Sequence, residues 1–374
     1  MSQNHKNIPL SDYMFQKASR FSIPFSGTFE LSPVCNFACQ MCYVRKTAKE
    51  VQKSSRPILN IEQWIEIARN ARDEGMLYLL LTGGEPFLWP DFWKLYEELI
   101  KMGLLVSINT NGSLIDNAAI EQLKRLPPRR INITLYGARD ETYEALCGAK
   151  KVFSKVDYAI ASLREAGIPV KLNCSLTPEN ACDLDKIVAY SQKHGLVLQV
   201  ATYMFPPVRR DETMVGKNKR FTPAESAFYR LETYRLQYGD KAYLDFLQSI
   251  LGGNASPPGL DESCVDPIDG KIQCRAGRAS FWVTWDGWMI PCGMVTAPKV
   301  DLVNNPFHET WKNLAEESRK LLLSGICKNC PDIKLCYSCA AMAQSETGTV
   351  AGVPRYLCET VREMKKIAES VLKG

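Results

Sequence analysis

The chain has 374 residues, 45% of them hydrophobic and 23% charged, a composition that supports a sizeable buried core in two or three domains and excludes a disordered chain. Its formal net charge of +5 is too slight an excess to point to a nucleic-acid or membrane partner. No apolar run approaches the ~20 residues of a membrane span, and the polar start MSQNHKNIPLSD lacks the apolar core of a secretory signal, so a cytoplasmic location is expected.

In chain order, residues 1–25 read as an N-terminal extension. Residues 26–203 alternate short apolar runs with helix-period segments. The candidate strands are 28–34, 76–82, 104–109, 131–135, 170–176 and 197–203. The candidate helices between them are 61–74, 91–102, 116–125, 153–166 and 183–194. Gly75, Gly103, Gly167 and Gly195 each follow a helical stretch, as C-terminal caps do. Repeated βαβ units predict an α/β fold with a parallel sheet that binds ligands at the C-terminal ends of its strands. Residues 204–260 form a bridging segment, in which Thr222-Pro223-Ala224-Glu225 reads as a capping box opening a helix to about Gln248. Glycine, proline and serine in LGGNASPPGLDESC then mark a linker, and residues 261–374 form a last, cysteine-rich domain.

The chemistry lies in the cysteines, of which there are 14 beside three histidines. In a chain of this length without an export signal, clustered cysteines point to thiolate–metal or redox chemistry rather than disulfides. Cys35, Cys39 and Cys42 come from one loop directly after the first strand, with no fourth Cys or His nearby in the sequence. Structural zinc needs four ligands. Three thiolates suit a [4Fe–4S] cluster that leaves one iron open to an outside ligand. After the second strand comes Thr82-Gly83-Gly84-Glu85-Pro86, where glycines permit close backbone approach and a carboxylate can accept hydrogen bonds from an ammonium group.

Cys35-Asn36-Phe37-Ala38-Cys39-Gln40-Met41-Cys42, followed one strand later by the GGEP segment, resembles the radical S-adenosylmethionine (SAM) superfamily, whose signature is CxxxCxΦC. Met41 stands at the usually aromatic Φ position. The resemblance implies a partial (β/α)6 TIM-like barrel, with Cys35, Cys39 and Cys42 binding the SAM-cleaving [4Fe–4S] cluster. It also implies that Met41, Gly83, Gly84, Glu85, Asn109, Asn111, Thr134 and Val200 surround SAM, with the GGEP segment at its amino group, Thr134 near its carboxylate and Val200 along its adenine. The stretch INITLYGARDETYEALCG resembles the family's SLDG-to-RG segment, but Cys147 stands where many relatives carry Arg.

Cys274-x12-Gly287-x4-Cys292, Cys327-x2-Cys330-x5-Cys336-x2-Cys339 and Cys358 resemble the SPASM domain, an extension of radical SAM enzymes that carries auxiliary clusters. The family usually has three residues, not two, before the Cys339 position. On chemistry alone, paired CxxC motifs also suit zinc. The resemblance assigns Cys274, Cys292 and Cys339, with Cys264 as fourth ligand, to a first auxiliary cluster. Cys327, Cys330, Cys336 and Cys358 then complete a second, giving three [4Fe–4S] clusters in all. Cys174 and Cys182 read as packed hydrophobes. Cys147 does too, although it lies near the expected active-site mouth.

Such an enzyme cleaves SAM reductively to methionine and a 5′-deoxyadenosyl radical that abstracts hydrogen from substrate, using a low-potential donor such as flavodoxin or ferredoxin. Hydrogen-atom transfer needs no histidine acid or base, consistent with their scarcity. SPASM proteins commonly modify ribosomally made peptides or proteins by oxidation, crosslinking or epimerisation, so a peptide or protein side chain is the expected substrate. Gly293 follows Cys292 where sulfatase-maturing relatives carry an acidic base. The 34 residues before Cys35 are too few for a peptide-recognition domain, which places leader binding elsewhere or makes it unnecessary. Within 205–212, Arg209 and Arg210 are candidates for holding a carboxylate. Asp211 and Tyr203 are candidate proton-transfer groups. Trp282, Trp285 and Trp288 read as core packing. Two alternatives stay open: the same chemistry on an amino acid, sugar or alcohol, and a non-catalytic zinc or iron–sulfur interaction module.

Overall fold

The computed structural model describes residues 9–255 and 274–373. Its apolar runs form six parallel strands, β1 (Ser26–Glu30), β2 (Tyr78–Thr82), β3 (Leu105–Thr110), β4 (Arg130–Thr134), β5 (Val170–Ser175) and β6 (Val197–Ala201), paired in sequence order. Before and between them run α1 (Leu10–Phe21), α2 (Ala48–Gln52), α3 (Ile61–Asp73), α4 (Phe92–Lys101), α5 (Asn117–Arg125), α6 (Asp140–Cys147), α7 (Phe153–Glu165) and α8 (Leu184–Lys193). This is the α/β partial-barrel architecture that the alternation predicts. Alternation also decides what faces the helices: Phe29, Leu81, Val106, Ile108, Ile131, Ile133 and Leu172 are all fully buried. Trp64, Ala68 and Ala71 of α3 and Leu95, Tyr96 and Leu99 of α4 cover them at helical spacing. Burial of each large aliphatic or aromatic side chain contributes about 1.5–3 kcal/mol.

The first strand is shorter than the apolar pattern predicts, ending at Glu30 rather than continuing to residue 34. Pro33 has no N–H to offer a ladder. The chain instead leaves the sheet and crosses the end of β2, where Leu31 N donates to Thr82 O (2.9 Å), Gly84 N to Ser32 O (2.6 Å) and Glu85 N to Val34 O (2.9 Å). These bonds set the first cysteine loop beside the GGEP turn. A Cβ on Gly84 would lie 2.2 Å from Val34 O, and one on Gly83 2.4 Å from Ser32 O, so both close approaches require glycine. Gly84→Ala is therefore expected to displace the cysteine loop and lower iron loading after anaerobic reconstitution. Gly325→Ala, where a Cβ meets nothing within 4 Å, serves as the control that keeps its iron.

The bridging helix α9 (Pro223–Leu251) opens on the expected capping box, with Thr222 and Glu225 exchanging side-chain and backbone bonds, and breaks at Gly239. It runs three residues beyond Gln248. Beyond it come β7 (Ser280–Val283), β8 (Trp288–Ile290), β9 (Val300–Asp301), α10 (Phe307–Lys320), α11 (Gly325–Lys328), α12 (Ile333–Cys336), α13 (Ala340–Thr347) and α14 (Arg355–Lys373). Strand β7 pairs in parallel with β1, and β8 and β9 follow antiparallel, so the barrel sheet continues into the cysteine-rich region in the order β6-β5-β4-β3-β2-β1-β7-β8-β9. Ala227, Leu231, Leu247 and Ile250 of α9 pack on Val361, Met364 and Ala368 of α14 in a second core. Trp285 is buried, and Trp288 is covered by the Arg56 guanidinium 4.5 Å from its ring centre, so both tryptophans are packing residues. Among the described residues, no helix is long and apolar enough to cross a membrane.

Candidate active site

Every barrel strand delivers residues to one cavity of about 420 Å³ at the C-terminal end of the sheet. Cys35, Cys39, Met41 and Cys42 enter from the loop after β1, Gly83 and Gly84 from the end of β2, Asn109 and Asn111 from β3, and Thr134 from β4. The residues read from the sequence as a SAM site thus share one wall, with exceptions given below. Asn111 ties the wall together: its amide donates to Asn36 Oδ1 (2.9 Å) and touches Cys35 Sγ (3.9 Å). Asn109 accepts from Asn132 Nδ2 (2.7 Å).

Backbone donors hold two of the loop's sulfurs in place. Phe37 N donates to Cys35 Sγ and Arg45 N to Cys42 Sγ, each at 3.3 Å. Burial pushes the Cys35 thiol up to about 12 and raises Cys42 as well. Thiolates there call for a cationic partner, and three sulfur donors on one short loop fit a [4Fe–4S] cluster with an open iron. Cys39 is the exception. The neighbouring Cys147 thiol, with the Tyr136 hydroxyl adding to it, outweighs burial and lowers its pKa. A fourth thiol therefore does stand beside the cluster loop, although 105 residues of chain separate Gln40 from Ala145, its neighbour on α6. Among the described residues, no three His, Cys, Asp or Glu side chains converge as around a single metal ion.

Four expectations for this cavity need correction. The Glu85 carboxylate does not face the cavity: it accepts from Thr110 Oγ1 (2.8 Å), Asn111 N (2.8 Å) and Phe87 N (3.3 Å), where burial raises its pKa to about 7. Its task in this structure is to brace the ends of β2 and β3. Val200 packs against the barrel core, because period-two alternation turns its neighbours Gln199 and Ala201 into the cavity instead. Asp211 is exposed and caps the turn at Glu212–Met214 through Thr213 N (2.9 Å) and Oγ1 (2.7 Å). Arg209 is spent on a buried bidentate pair with Glu30 (3.0 and 3.1 Å), while Arg210 donates to Cys42 O (3.1 Å).

Tyr203 lines the cavity and donates to Glu346 Oε1 (2.6 Å) on α13. Glu346 also pairs with Arg220, which lies 3.9 Å over the Tyr356 ring. Burial, then the bond to Glu346, raises the Tyr203 pKa, so its phenol stays a donor. The strand pattern also holds residues that motif reading passes over. Asn173 and Ser175 on β5 and Gln199 on β6 are polar, alternate in register and face the cavity. So does Arg45, whose Nε is buried without a hydrogen-bond partner.

The C-terminal thiols fall into two groups. Burial pushes Cys292 up to about 11, with added repulsion from Cys274 and Cys339 and relief from Arg209. Burial likewise raises Cys336 to about 11, next to Cys358 and Cys327, and Cys327 in turn lies by Cys330. Cys264 lies outside the described residues. Met294, two residues past Cys292, lines the cavity, and Arg209 Nη1 donates to Gly293 O (2.9 Å). The first C-terminal group therefore adjoins the cavity. Cys174 is buried in β5, as a packed hydrophobe should be, but Cys182 is not one: it is exposed, and its sulfur accepts from Arg139 Nη2 (3.2 Å).

Residues 29–190 match the family model of the radical SAM superfamily. That segment, the barrel, is a radical SAM domain. Among curated relatives, the AdoMet-dependent heme synthase of Methanosarcina barkeri is 26% identical over 333 residues, covering 86% of this chain and 92% of the relative. Two solved structures share the fold across 93% of the chain, including the cysteine-rich region of radical SAM/SPASM enzymes. One is anSMEcpe with bound AdoMet (TM-score 0.68, 20% identity, 98% of that chain). The other is Streptococcus suis SuiB bound to precursor peptide SuiA (TM-score 0.63, 16% identity, 79% of that chain). The chain is a radical SAM enzyme.

Proposed function

We propose that the enzyme oxidatively modifies a side chain of a ribosomally made peptide or protein. Cys35, Cys39 and Cys42 would hold the SAM-cleaving cluster, and the two C-terminal thiol groups would hold auxiliary clusters, Cys264 completing the first. The bound cluster and SAM supply a 5′-deoxyadenosyl radical by one-electron cleavage. Gly83, Gly84, Asn109, Asn111 and Thr134 orient SAM, and the barrel wall keeps water from the radical.

The observation that carries an oxidative outcome is the seating of Met294 in the cavity wall, two residues from Cys292. A substrate that has lost a hydrogen atom must lose one more electron and one proton to be oxidised. Thiols beside the cavity can hold an electron acceptor, and Tyr203 can pass its proton to Glu346 while taking one from substrate. A peptide substrate is in keeping with SuiB, whose structure holds its precursor peptide. The test is anaerobic incubation of reconstituted enzyme with SAM, dithionite and a small peptide encoded beside its gene. Loss of two hydrogens from the peptide, alongside 5′-deoxyadenosine, is the expected result; 5′-deoxyadenosine with an unaltered peptide would count against it. Tyr203→Phe should keep SAM cleavage but lower peptide oxidation by about 10²–10⁴-fold, the usual span of a proton-transfer group.

A second reading is favoured by Arg45. A guanidinium with a buried, unpartnered Nε in the cavity wall suits a small carboxylate-bearing substrate, and the heme synthase relative aligns over nearly its whole length. Arg45→Gln should then raise KM for a small acid far more than it changes kcat.

A further inference from the structure

Beneath the cavity the polar face of the sheet continues. Ile131, Ile133, Leu172 and Cys174 are buried toward the helices, so alternation turns Arg130, Asn132 and Thr134 of β4 and Lys171, Asn173 and Ser175 of β5 into the barrel lumen. In register, Asn132 stands between Asn109 and Lys171, and Thr134 stands beside Asn173. Asn109, Thr134 and Asn173 line the cavity, which sets Asn132 and Lys171 against it from below. Lys171 Nζ also donates to Gln199 Oε1, and Gln199 lines the cavity. The lumen is open on this side. Strand β6 is the edge of the sheet, and on its inner face Val197 is 68% exposed, with Gln199 and Ala201 exposed beside it. Two polar atoms here have no hydrogen-bond partner: Arg130 Nε, and the Oδ1 of Asn132, a residue only 7% exposed whose amide is taken up by Asn109. Burial lowers the pKa of both cations. Repulsion from Arg130 adds to this at Lys171 and repulsion from Arg129 at Arg130, and no carboxylate among the described residues offsets either.

We propose that Arg130 and Lys171 form a carboxylate-binding subsite in the lumen, with Asn132 Oδ1 accepting from an N–H or O–H donor on the same molecule. The inference rests on the reading of the cavity above as the substrate chamber, and it names what the substrate carries: a carboxylate, on a peptide side chain or on a small acid. Two neighbouring cations without an anion destabilise the empty protein, and a bound carboxylate supplies charge-assisted bonds to both. Asn132 narrows the ligand further. A buried acceptor oxygen offers nothing to a bare anion and calls for a donor close to the carboxylate. One end of the substrate is then anchored beneath the cavity, and the rest reaches up past Thr134 and Asn173.

The test is calorimetric titration of full-length reconstituted enzyme with SAM and no reductant, so that nothing turns over. Two pairs of probes are used: N-acetylglutamate against N-acetylglutamine, and an end-blocked pentapeptide with one central glutamate against its glutamine counterpart. Wild type should prefer the glutamate member of at least one pair by about tenfold or more, the usual weight of a charge-assisted bond. Arg130→Gln and Lys171→Met should each abolish that preference, and Lys171→Arg, which keeps the charge, should retain it. Without a probe, Arg130→Gln and Lys171→Met should melt no lower than wild type, since each removes a cation that has no anion. A preference within the peptide pair places the carboxylate on a peptide; a preference within the free pair alone places it on a small acid. Equal binding of glutamate and glutamine forms by wild type, or binding of neither, would overturn the inference. A lower melting temperature in both Arg130→Gln and Lys171→Met would also overturn it, by making them structural residues. Peptide oxidation is assayed separately: its failure while the glutamate preference holds would bring down the proposed function and leave the subsite standing.

Discussion

Cys35→Ala is expected to stop SAM cleavage, with 5′-deoxyadenosine falling to background in an anaerobic assay with dithionite. The variant should also lose about four of the roughly twelve irons that the three proposed clusters would hold. The effect should be all-or-none because, on the proposed assignment, the loop offers three thiols for a cluster that would need three, with the open iron left for SAM. Cys147 lies near enough to raise the question of rescue. It is fixed at the end of α6 beside Cys39, with its carbonyl bonded to Ala38 N, and cannot cross to the Cys35 position without breaking that contact. Persistence of 5′-deoxyadenosine in Cys35→Ala would contradict the assignment. The C-terminal thiols should keep their iron in this variant, since the bonds that hold Cys292 in place run through Arg209 and Gly293 rather than through Cys35.

The second large effect is expected at Arg209→Leu, which should destabilise the protein by about 3–5 kcal/mol, the usual cost of breaking a buried ion pair from one side. Glu30 is fully buried at the end of β1 and accepts both guanidinium bonds together with Trp282 Nε1 (2.9 Å). Burial opposes the charge on Arg209, yet Glu30 outweighs it and the guanidinium pKa rises. Removing the arginine strands a carboxylate with one indole donor. The same side chain bonds Gly293 O, so iron loading at Cys274, Cys292 and Cys339 should fall as well. Glu30→Leu combined with Arg209→Leu should recover much of the stability, because both charges leave together, but not the anchor on Gly293. Thermal unfolding and iron content of the single and double variants separate the two roles. Equal stability of Arg209→Leu and wild type would refute the argument.

Local patterns carried most of the fold and much of the site. Alternation placed six strands to within a few residues, the capping box at Thr222 and Glu225 marked the start of α9, and the glycine-rich turn fell beside the cysteine loop. What escaped the sequence depends on contacts between distant parts of the chain. Arg209 looks like a substrate clamp in the string FPPVRRDE, yet its partner lies 179 residues away on β1. Glu85 looks like an ammonium acceptor until the N–H of Asn111 and the hydroxyl of Thr110 reach it from the next strand. Val200 was misplaced for a simpler reason: its neighbours Gln199 and Ala201 point the other way along a period-two strand. Cys147 stands by the family motif in sequence, but only the folding of α6 onto the loop brings its thiol to Cys39.

The parallel pairing of β7 with β1 bears on whether the two halves can be separated. A chain stopped at residue 255 would leave the outer rim of Ser26–Phe29 as a bare row of amide donors and acceptors, an invitation to strand addition from another molecule. Glu30 would lose its indole donor and Arg209 its bond to Gly293 at the same stroke. The barrel is thus not a portable module to which a cysteine-rich tail has been appended. A truncated barrel should aggregate, and chimaeras joined between α9 and β7 should fold only when the strand, the indole and the arginine come from partners matched to each other.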